Sequence, residues 1–158
     1  MKKILSVFLL GLLFQMQVFA ETVPQGTLVM VQASKIIDAD DVKLGDTVSF
    51  KTLKPVKVND KVIIPQGTEV NAKVTRRKNN GILGIPGEIE VSEFQIITQN
   101  NKVINLSGIV QDKGDGRYWA NAGWIFWITL PLIFIKGNDG KIFPNTTQML
   151  YTAEDVNL

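Results

Sequence analysis

Residues 60–74 read DKVIIPQGTEVNAKV, and this stretch decides the fold class. After Asp60 and Lys61 a short apolar run, residues 62–64, ends at Pro65, and Gly67 follows two positions later. From Glu69 onward polar and apolar residues alternate, and a period of two is typical of a β-strand with one face in water. Because proline has no N–H to donate to a sheet, Pro65 marks the end of one strand and the start of a turn. The stretch therefore predicts two strands joined by a corner.

A similar corner pattern occurs at two other places in the chain. Val23-Pro-Gln-Gly-Thr27 repeats it with the first two prolines 41 positions apart, and Phe143-Pro-Asn-Thr-Thr147 repeats it without the glycine. We interpret these as repeated structural corners, against the alternative that Pro-x-Gly recurs by chance in β proteins. The corner residues on this interpretation are Pro24, Gly26, Pro65, Gly67 and Pro144.

Other short runs rich in Val, Ile, Thr and Phe, separated by Gly, Asn and Asp, predict further strands. A short helical turn is expected at Asp38–Val42. The pattern as a whole predicts an all-β fold, a small β-barrel or sandwich that rests on its core alone because the chain has no cysteine. The predicted strands are Thr27–Gln32, Thr47–Thr52, Val56–Val58, Lys61–Ile64, Glu69–Thr75, Gly87–Glu93, Phe94–Thr98, Lys102–Val110 and Lys141–Phe143.

Residues 1–20 have the three parts of a secretory signal peptide. Two lysines open the segment, residues 4–14 form an apolar run of 11 residues, and a more polar stretch leads to Ala20. We expect a helical signal that is cleaved between Ala20 and Glu21. The alternative is an uncleaved anchor, although a bilayer core needs about 20 apolar residues. The sequence therefore predicts a periplasmic protein with one β domain over residues 21–158.

Charge and composition exclude several function classes. The chain has 17 basic and 15 acidic residues, and removing the two lysines of the predicted signal leaves 15 of each. This balance gives no reason to bind nucleic acid. The absence of histidine and cysteine excludes Ser-His-Asp and Cys-His nucleophiles and the usual zinc sites. We therefore expect no enzyme, no metal and no cofactor; the alternative is a hydrolase that uses the carboxylates of Glu88, Glu90 and Glu93.

Residues 118–135, YWANAGWIFWITLPLIFI, form an uncharged apolar insertion that holds all three tryptophans of the chain. Tryptophan beside apolar residues suits a bilayer interface, but the 13 residues from Gly123 to Ile135 are too few for a helical span. We predict a short helix or hairpin that contacts a membrane or a partner; the alternative is a buried plug at one end of the barrel. The contact residues on the first interpretation are Trp119, Trp124, Phe126, Trp127, Leu130, Leu132 and Phe134.

The order of the motifs along the chain carries a family resemblance. GDTVSF at 45–50, PVKV at 55–58 and DKVIIPQGT at 60–68 are followed by EIEVSEFQII at 88–97, NKVINLSG at 101–108 and DKGDG at 112–116. This order resembles the C-terminal domain of the TrbI-like conjugation proteins of type IV secretion channels, and also short stand-alone exported proteins with the same Pro-x-Gly-Thr unit. The resemblance implies a cell-envelope β-barrel that acts by assembly, with residues 118–135 in the place of a membrane-entering hairpin. Members of that family have a retained membrane helix where this chain has a predicted signal, so a bridge between two membranes is not expected.

We therefore expect an exported, non-enzymatic cell-envelope protein, a structural or assembly module that docks to a membrane or a partner through residues 118–135. The expected partners are other envelope proteins or further copies of this chain, with a contact to the outer membrane. The alternative is a soluble periplasmic module that binds a glycan or a small apolar ligand in a pocket lined by Trp119, Trp124 or Trp127.

Overall fold

The computed structural model describes residues 22–81, 85–98, 101–116 and 136–157. The predicted signal and the predicted insertion lie outside these ranges. Within them the chain forms β-strands and no helix: β1 Thr22–Val23, β2 Leu28–Ala33, β3 Ile37–Asp38, β4 Thr47–Thr52, β5 Val56–Val58, β6 Lys61–Ile64, β7 Glu69–Lys78, β8 Glu88–Ile97, β9 Val103–Ser107, β10 Val110–Lys113, β11 Lys141–Ile142, β12 Gln148–Thr152 and β13 Val156–Asn157.

Six of these strands form a closed antiparallel barrel. Around the ring the order is β8, β7, β4, β2, β12 and β9, and β9 pairs again with β8. The prediction of an all-β fold is confirmed for the described residues. Of the two predicted architectures, barrel and sandwich, these residues form the barrel. Closure leaves the ring strands without a free edge, which is how small barrels avoid pairing with other chains.

The barrel core follows from the alternation along each strand. At its centre the rings of Phe50 and Phe94 meet edge to face, with centroids 5.2 Å apart and planes at 72°. Each fully buried apolar side chain of this kind stabilises the fold by about 1.5–3 kcal/mol. The inward residues of the six ring strands are Val29, Val31, Ala33, Val48, Phe50, Val70, Ala72, Val74, Ile89, Val91, Phe94, Ile96, Ile104, Leu106 and Leu150.

A β-bulge at Glu93 keeps β8 in the barrel over its whole length. Val91 and Phe94 both point inward although they are three positions apart, and Glu93, with a left-handed φ of 53°, supplies the extra residue between them. Without the bulge the alternation would turn Glu93 itself into the core. The prediction of two separate strands, Gly87–Glu93 and Phe94–Thr98, was therefore wrong: Glu88–Ile97 is one strand.

The turn at residues 24–27 is closed by a threonine from the far end of the chain. The Thr152 hydroxyl donates to the Pro24 carbonyl at 2.6 Å and accepts from the Thr27 N–H at 2.9 Å. The Gly26 N–H donates to the Thr152 carbonyl at 2.9 Å, and Gly26 has a φ of 78°, a conformation in which glycine carries no Cβ strain. Thr152 is 2% exposed, so its hydroxyl pairs two backbone groups inside the fold.

The turn at residues 65–68 repeats these bonds around Thr52. The Thr52 hydroxyl donates to the Pro65 carbonyl at 2.8 Å and accepts from the Thr68 N–H at 2.9 Å. The Gly67 N–H donates to the Thr52 carbonyl at 2.8 Å, and the φ of Gly67 is 80°. Two distant parts of the sequence therefore build the same turn.

A third, more open version joins β8 to β9 through Thr98. Its hydroxyl accepts from the Lys102 N–H at 3.1 Å and donates to the Lys102 carbonyl at 3.1 Å, and Asn101 takes the left-handed position with a φ of 57°. The barrel thus consists of three strand pairs, each with a threonine at its turn. The predicted corner at Pro144 is of another kind: the Thr146 N–H bonds to the Phe143 carbonyl at 3.2 Å, and no residue there has a positive φ.

The two ends of the barrel differ. The three threonine turns lie at one end, called here the turn end, where the ribbons β1–β13 and β5–β6 bury Val23 and Val56. At the other end β3 pairs with β11, matching Ile37 with Ile142. The helical turn expected at Asp38–Val42 is not formed, because Asp38 belongs to strand β3.

Candidate functional site

Three segments converge at the end of the barrel opposite the threonine turns, and we call their meeting point the neck. It consists of residues 79–81 and 85–87 from the β7–β8 connection, residues 112–116 and residues 136–140. The last two segments are the flanks of the predicted insertion. The neck is therefore where residues 117–135 leave the described fold and return to it.

Backbone hydrogen bonds hold the three segments together. The Asn138 N–H donates to the Asp115 carbonyl at 3.3 Å, which joins the two flanks of the insertion directly. The β7–β8 connection binds both flanks, because the Gly87 N–H donates to the Asn138 carbonyl and the Gly114 N–H donates to the Gly87 carbonyl, each at 3.0 Å. The two described flanks of the insertion are thus fixed side by side.

Glycines make this close approach possible. A Cβ on Gly114 would overlap the carbonyl of Asn138, and a Cβ on Gly137 would overlap the carbonyl of Ile85. A Cβ on Gly140 would lie 2.7 Å from the Asp112 carbonyl oxygen, closer than real Cβ contacts allow. Only glycine lets these backbones touch. The sequence places Gly114 and Gly140 in Gly-Asp-Gly and Asn-Asp-Gly runs that predict ordinary turns, and it does not single out Gly137.

The tip of the β7–β8 hairpin is bound to the returning flank. The Gly137 N–H donates to the Gly81 carbonyl at 3.2 Å, and the Asn80 side-chain amide donates to the Gly137 carbonyl at 2.9 Å. Residues 79–87 read NNGILGIPG and carry no charge. Ile85, which belongs to this connection, is 41% exposed. The described ends of this uncharged connection therefore lie at the neck, beside the flanks of the predicted insertion.

The ribbon β3–β11 fixes the returning flank from the other side. The Lys141 ammonium lies 2.6 Å from an Asp38 carboxylate oxygen, and the Lys141 N–H donates to the Asp112 carboxylate at 2.8 Å. Burial raises the pKa of Asp38, but hydrogen bonds from Lys141 and from the Asp40 N–H outweigh it and leave that pKa below its usual value. The same pair raises the pKa of Lys141.

Charged residues form a cross-strand ladder on the outer face of β7, β8 and β10. Glu88 lies between Lys78 and Lys113 in the register, and its carboxylate is 3.1 Å from the Lys113 ammonium. The hydrogen bond and charge of Lys113 lower the pKa of Glu88. In the next row Glu90 faces Arg76 at 3.8 Å.

The three carboxylates of the hydrolase alternative do not share a site. Glu88 and Glu90 belong to the ladder, whereas Glu93 lies at the bulge and pairs with Lys73 at 3.0 Å. In the described parts of the chain no three acidic side chains are placed to hold a metal ion. No helix in those parts is long and apolar enough to cross a membrane.

An open cleft of about 410 Å³ borders the neck. Asp112, Asp115 and Lys141 line it together with the ring of Phe143. One carboxylate oxygen of the nearby Asp139 is buried without a hydrogen-bond partner among the described residues. The cleft is mostly polar in its lining, with one aromatic wall.

Several predicted site residues lie outside the described ranges: the cleavage residues Ala20 and Glu21, and the contact residues Trp119, Trp124, Phe126, Trp127, Leu130, Leu132 and Phe134. No protein-family model and no curated protein matches the chain. The resemblance to TrbI-like proteins therefore stays a prediction. Residues 79–87 were not predicted as part of the site, although their lack of charge between the basic residues 76–78 and β8 is visible in the sequence.

Proposed function

We propose that this chain is an exported, non-enzymatic β-barrel module of the cell envelope, and that it docks to a membrane or an envelope protein through residues 118–135. The observation that carries the proposal is the neck. The Asn138–Asp115 hydrogen bond fixes both flanks of an uncharged, Trp-rich segment at one end of a closed barrel. A rigid scaffold that displays an apolar segment at one end suits docking.

The geometry of the flanks limits how far the segment reaches. The 19 residues between the described flanks, 117–135, are tied at both ends to the neck, so the distance out and back is shared by about half of them each way. Nine residues cover about 14 Å as a helix or about 30 Å when extended. A hydrocarbon core is about 30 Å thick. The proposed contact therefore enters one interface and does not cross the membrane as a pair of helices.

The predicted signal and residues 118–135 are connected to opposite ends of the barrel. Residue 21 leads into β1, which lies at the turn end, whereas residues 117–135 are attached at the neck. The expected cleavage between Ala20 and Glu21 thus leaves the new N-terminus next to β1, at the end of the barrel away from the neck. Periplasmic location, with a contact to the outer membrane, is part of this proposal.

Fractionation of cells that express the protein tests the proposal. In a variant with residues 118–135 replaced by Gly-Ser-Gly, the Asp115–Asn138 bond remains available to close the neck. We expect the native chain in the envelope membrane pellet after a carbonate wash and the variant in the soluble periplasm, with the same β-sheet circular dichroism. Recovery of both chains in the soluble fraction as monomers would contradict the proposal.

A second candidate is a soluble binding module for a glycan or a small apolar ligand. The cleft beside Phe143 favours it, because the cleft is concave and combines one aromatic side chain with several polar groups that could orient a small ligand. Thermal unfolding against a panel of glycans and apolar ligands tests it. A rise in melting temperature that Phe143→Ser abolishes would support this function, and no rise with any ligand would reject it.

A further inference from the structure

Four apolar side chains form a continuous patch on the outer wall of the barrel. Tyr151 of β12 is the register partner of Leu28 of β2, and Met149 is the register partner of Met30. The strand residues between them are buried, so alternation along both strands turns these four outward. Leu28, Met149 and Tyr151 are 40%, 59% and 48% exposed, and Met30 is half-buried. We call these four residues the wall patch.

The equivalent wall in the other half of the barrel is polar. Strands β4 and β7 match β12 and β2 position by position, because a buried threonine closes each Pro-Gln-Gly-Thr turn with the same bonds. Here the register pairs are Lys51 with Glu69 and Ser49 with Asn71. They occupy the same two positions as the two pairs of the wall patch. The Ser49 hydroxyl donates to the Glu69 carboxylate at 2.9 Å, so polar groups of this wall bind one another.

This comparison separates what the fold needs from what the wall patch adds. A strand pair with the same register folds with polar side chains at the same outward positions, so the barrel does not require apolar residues there. A continuous exposed apolar patch that the fold does not need indicates a contact surface. Methionine and tyrosine are enriched in protein interfaces, whereas charged residues are depleted at their centres. Because the ring strands have no free edge, the contact uses the face of the sheet.

Opposite charges lie at diagonally opposite corners of the wall patch. Lys51 is exposed on the β4 side, beside Gln32 and beyond the methionine pair. Glu154 lies on the β9 side, beyond the tyrosine at the other end of the strand pair, and its carboxylate accepts from the Asn105 side-chain amide at 3.0 Å. The four side chains between these corners carry no charge.

We infer that the wall patch packs against the wall patch of a second copy of this chain, in a two-fold dimer that places Lys51 of each copy against Glu154 of the other. A two-fold axis in the plane of contact, perpendicular to the diagonal, exchanges the two corners, so positive meets negative twice. The uncharged centre adds no repulsion between identical faces. The wall patch contains no residue of the neck, so this inference goes beyond the proposed docking function and does not depend on it.

Sedimentation velocity tests the inference. The exported chain, and the variant with residues 118–135 replaced by Gly-Ser-Gly, are measured from about 1 to 200 µM. We expect a monomer–dimer equilibrium in both, with a dissociation constant in the micromolar range that suits a small interface. Met30→Asn with Met149→Ser, which copies the neutral polar pair of the equivalent wall, should raise that constant at least about tenfold.

Exchange of the corner charges tests the two-fold arrangement. Lys51→Glu and Glu154→Lys should each raise the dissociation constant by about threefold or more, because each variant sets like charges opposite one another. The double variant, Lys51→Glu with Glu154→Lys, should return to the native constant within about twofold, since opposite charges then meet again.

Ile97→Thr with Val103→Thr is the matched control. These two exposed apolar residues are also register partners, but they lie on another face of the barrel, between β8 and β9. The control should dimerise like the native chain. Circular dichroism and melting temperature check that all variants fold.

Three results would each overturn the inference: monomers over the whole concentration range, an equal loss in the control and in the wall-patch variant, or no recovery in the double charge variant. Binding of a monomeric chain to phosphatidylcholine vesicles, abolished by Met30→Asn with Met149→Ser, would assign the wall patch to a membrane and also overturn the dimer. The proposed function fails separately, when replacement of residues 118–135 leaves the fractionation of the chain unchanged.

Discussion

Thr52 and Thr152 stand one hundred positions apart and make the same hydrogen bonds with two different Pro-Gln-Gly-Thr turns. Each hydroxyl donates to a proline carbonyl and accepts from a threonine N–H, and each threonine is 2% exposed. The strands that end in these threonines, β4 and β12, hold equivalent places in the ring, and so do β7 and β2. The equivalence extends to the ribbons, since β5–β6 corresponds to β13–β1.

The first prediction concerns these hydroxyls. Thr52→Val and Thr152→Val should each lower the free energy of unfolding by about 1–3 kcal/mol, because each removes a hydroxyl that makes two hydrogen bonds, one to a proline carbonyl and one from a part-buried threonine N–H. Urea denaturation measures the change. The double variant should show the sum within about 0.5 kcal/mol, since the turns share no partner.

Thr98→Val is the internal comparison for that prediction. Thr98 makes longer bonds, 3.1 Å to both groups of Lys102, in a more exposed turn. Its substitution should cost clearly less than that of Thr52. Equal losses at all three positions would show that the hydroxyl bonds are not what stabilises the turns.

The second prediction concerns the glycines of the neck. Gly114→Ala should lower the free energy of unfolding by more than about 2 kcal/mol, because its Cβ would overlap the carbonyl of Asn138 and the backbone would have to move. Gly67→Asn is the control: it has nothing within 4 Å of a Cβ, and asparagine tolerates the left-handed region. The control should cost about 1 kcal/mol or less, and a Gly114→Ala protein as stable as the control would contradict the packing described for the neck.

The third prediction is a pH dependence from Asp38. Its folded pKa lies below the ordinary 3.8, so the Asp38 contribution to stability is complete above pH 3.8 and is lost as the pH falls through the folded pKa. Lys141 has the opposite sign: its raised pKa gives a contribution that is present below 10.5 and is lost as the pH rises through the folded pKa.

Asp38→Asn should therefore be less stable than the native chain at pH 7, and the difference should shrink in acid and in strong base. Melting temperatures across the pH range measure this difference. Asp60→Asn, in the exposed turn between β5 and β6, is measured at the same pH values as the control for loss of an aspartate away from Lys141. A pH-independent Asp38→Asn difference would exclude the ion pair with Lys141 as its cause.

The fourth prediction uses the adjacent strands β1 and β13. Thr22 and Asn157 are register partners, and Asn59 with Asp60 forms the equivalent connection in the β5–β6 ribbon, with φ values of 50° and 63°. A chain joined from Asn157 to Thr22 by a short glycine linker and opened between Asn59 and Asp60 should fold. Its circular dichroism should match that of residues 22–157, and an unfolded product would argue against the equivalence of the two ribbons.

Local strand patterns could be predicted from the sequence, whereas pairing over long distances could not. The alternation in Glu69–Val74 correctly indicated a strand, since one face of β7 is buried and the other wet. β12 was overlooked because Met149 and Tyr151 point outward beside the buried Leu150, so the strand has apolar residues on both faces and no alternation. The closing position of β12 in the ring is decided by its partners β2 and β9.

The neck was hidden for a different reason. Gly114, Gly137 and Gly140 lie in loops rich in aspartate and asparagine, which are typical of ordinary turns. Their role depends on which backbone lies opposite, and that is settled by the β7–β8 extension and the β3–β11 ribbon. The bulge at Glu93 likewise depends on the closed barrel, because it keeps the apolar side chains of β8 pointing inward on both sides of Glu93.

The hydrogen bond between Asn138 and Asp115 joins the two flanks of residues 117–135 to each other, so the barrel is held together without that segment. A loop whose two ends are held together at the neck can be exchanged, lengthened or shortened while the barrel strands keep their register. Replacement of residues 117–135 is therefore expected to leave the register of the barrel strands unchanged.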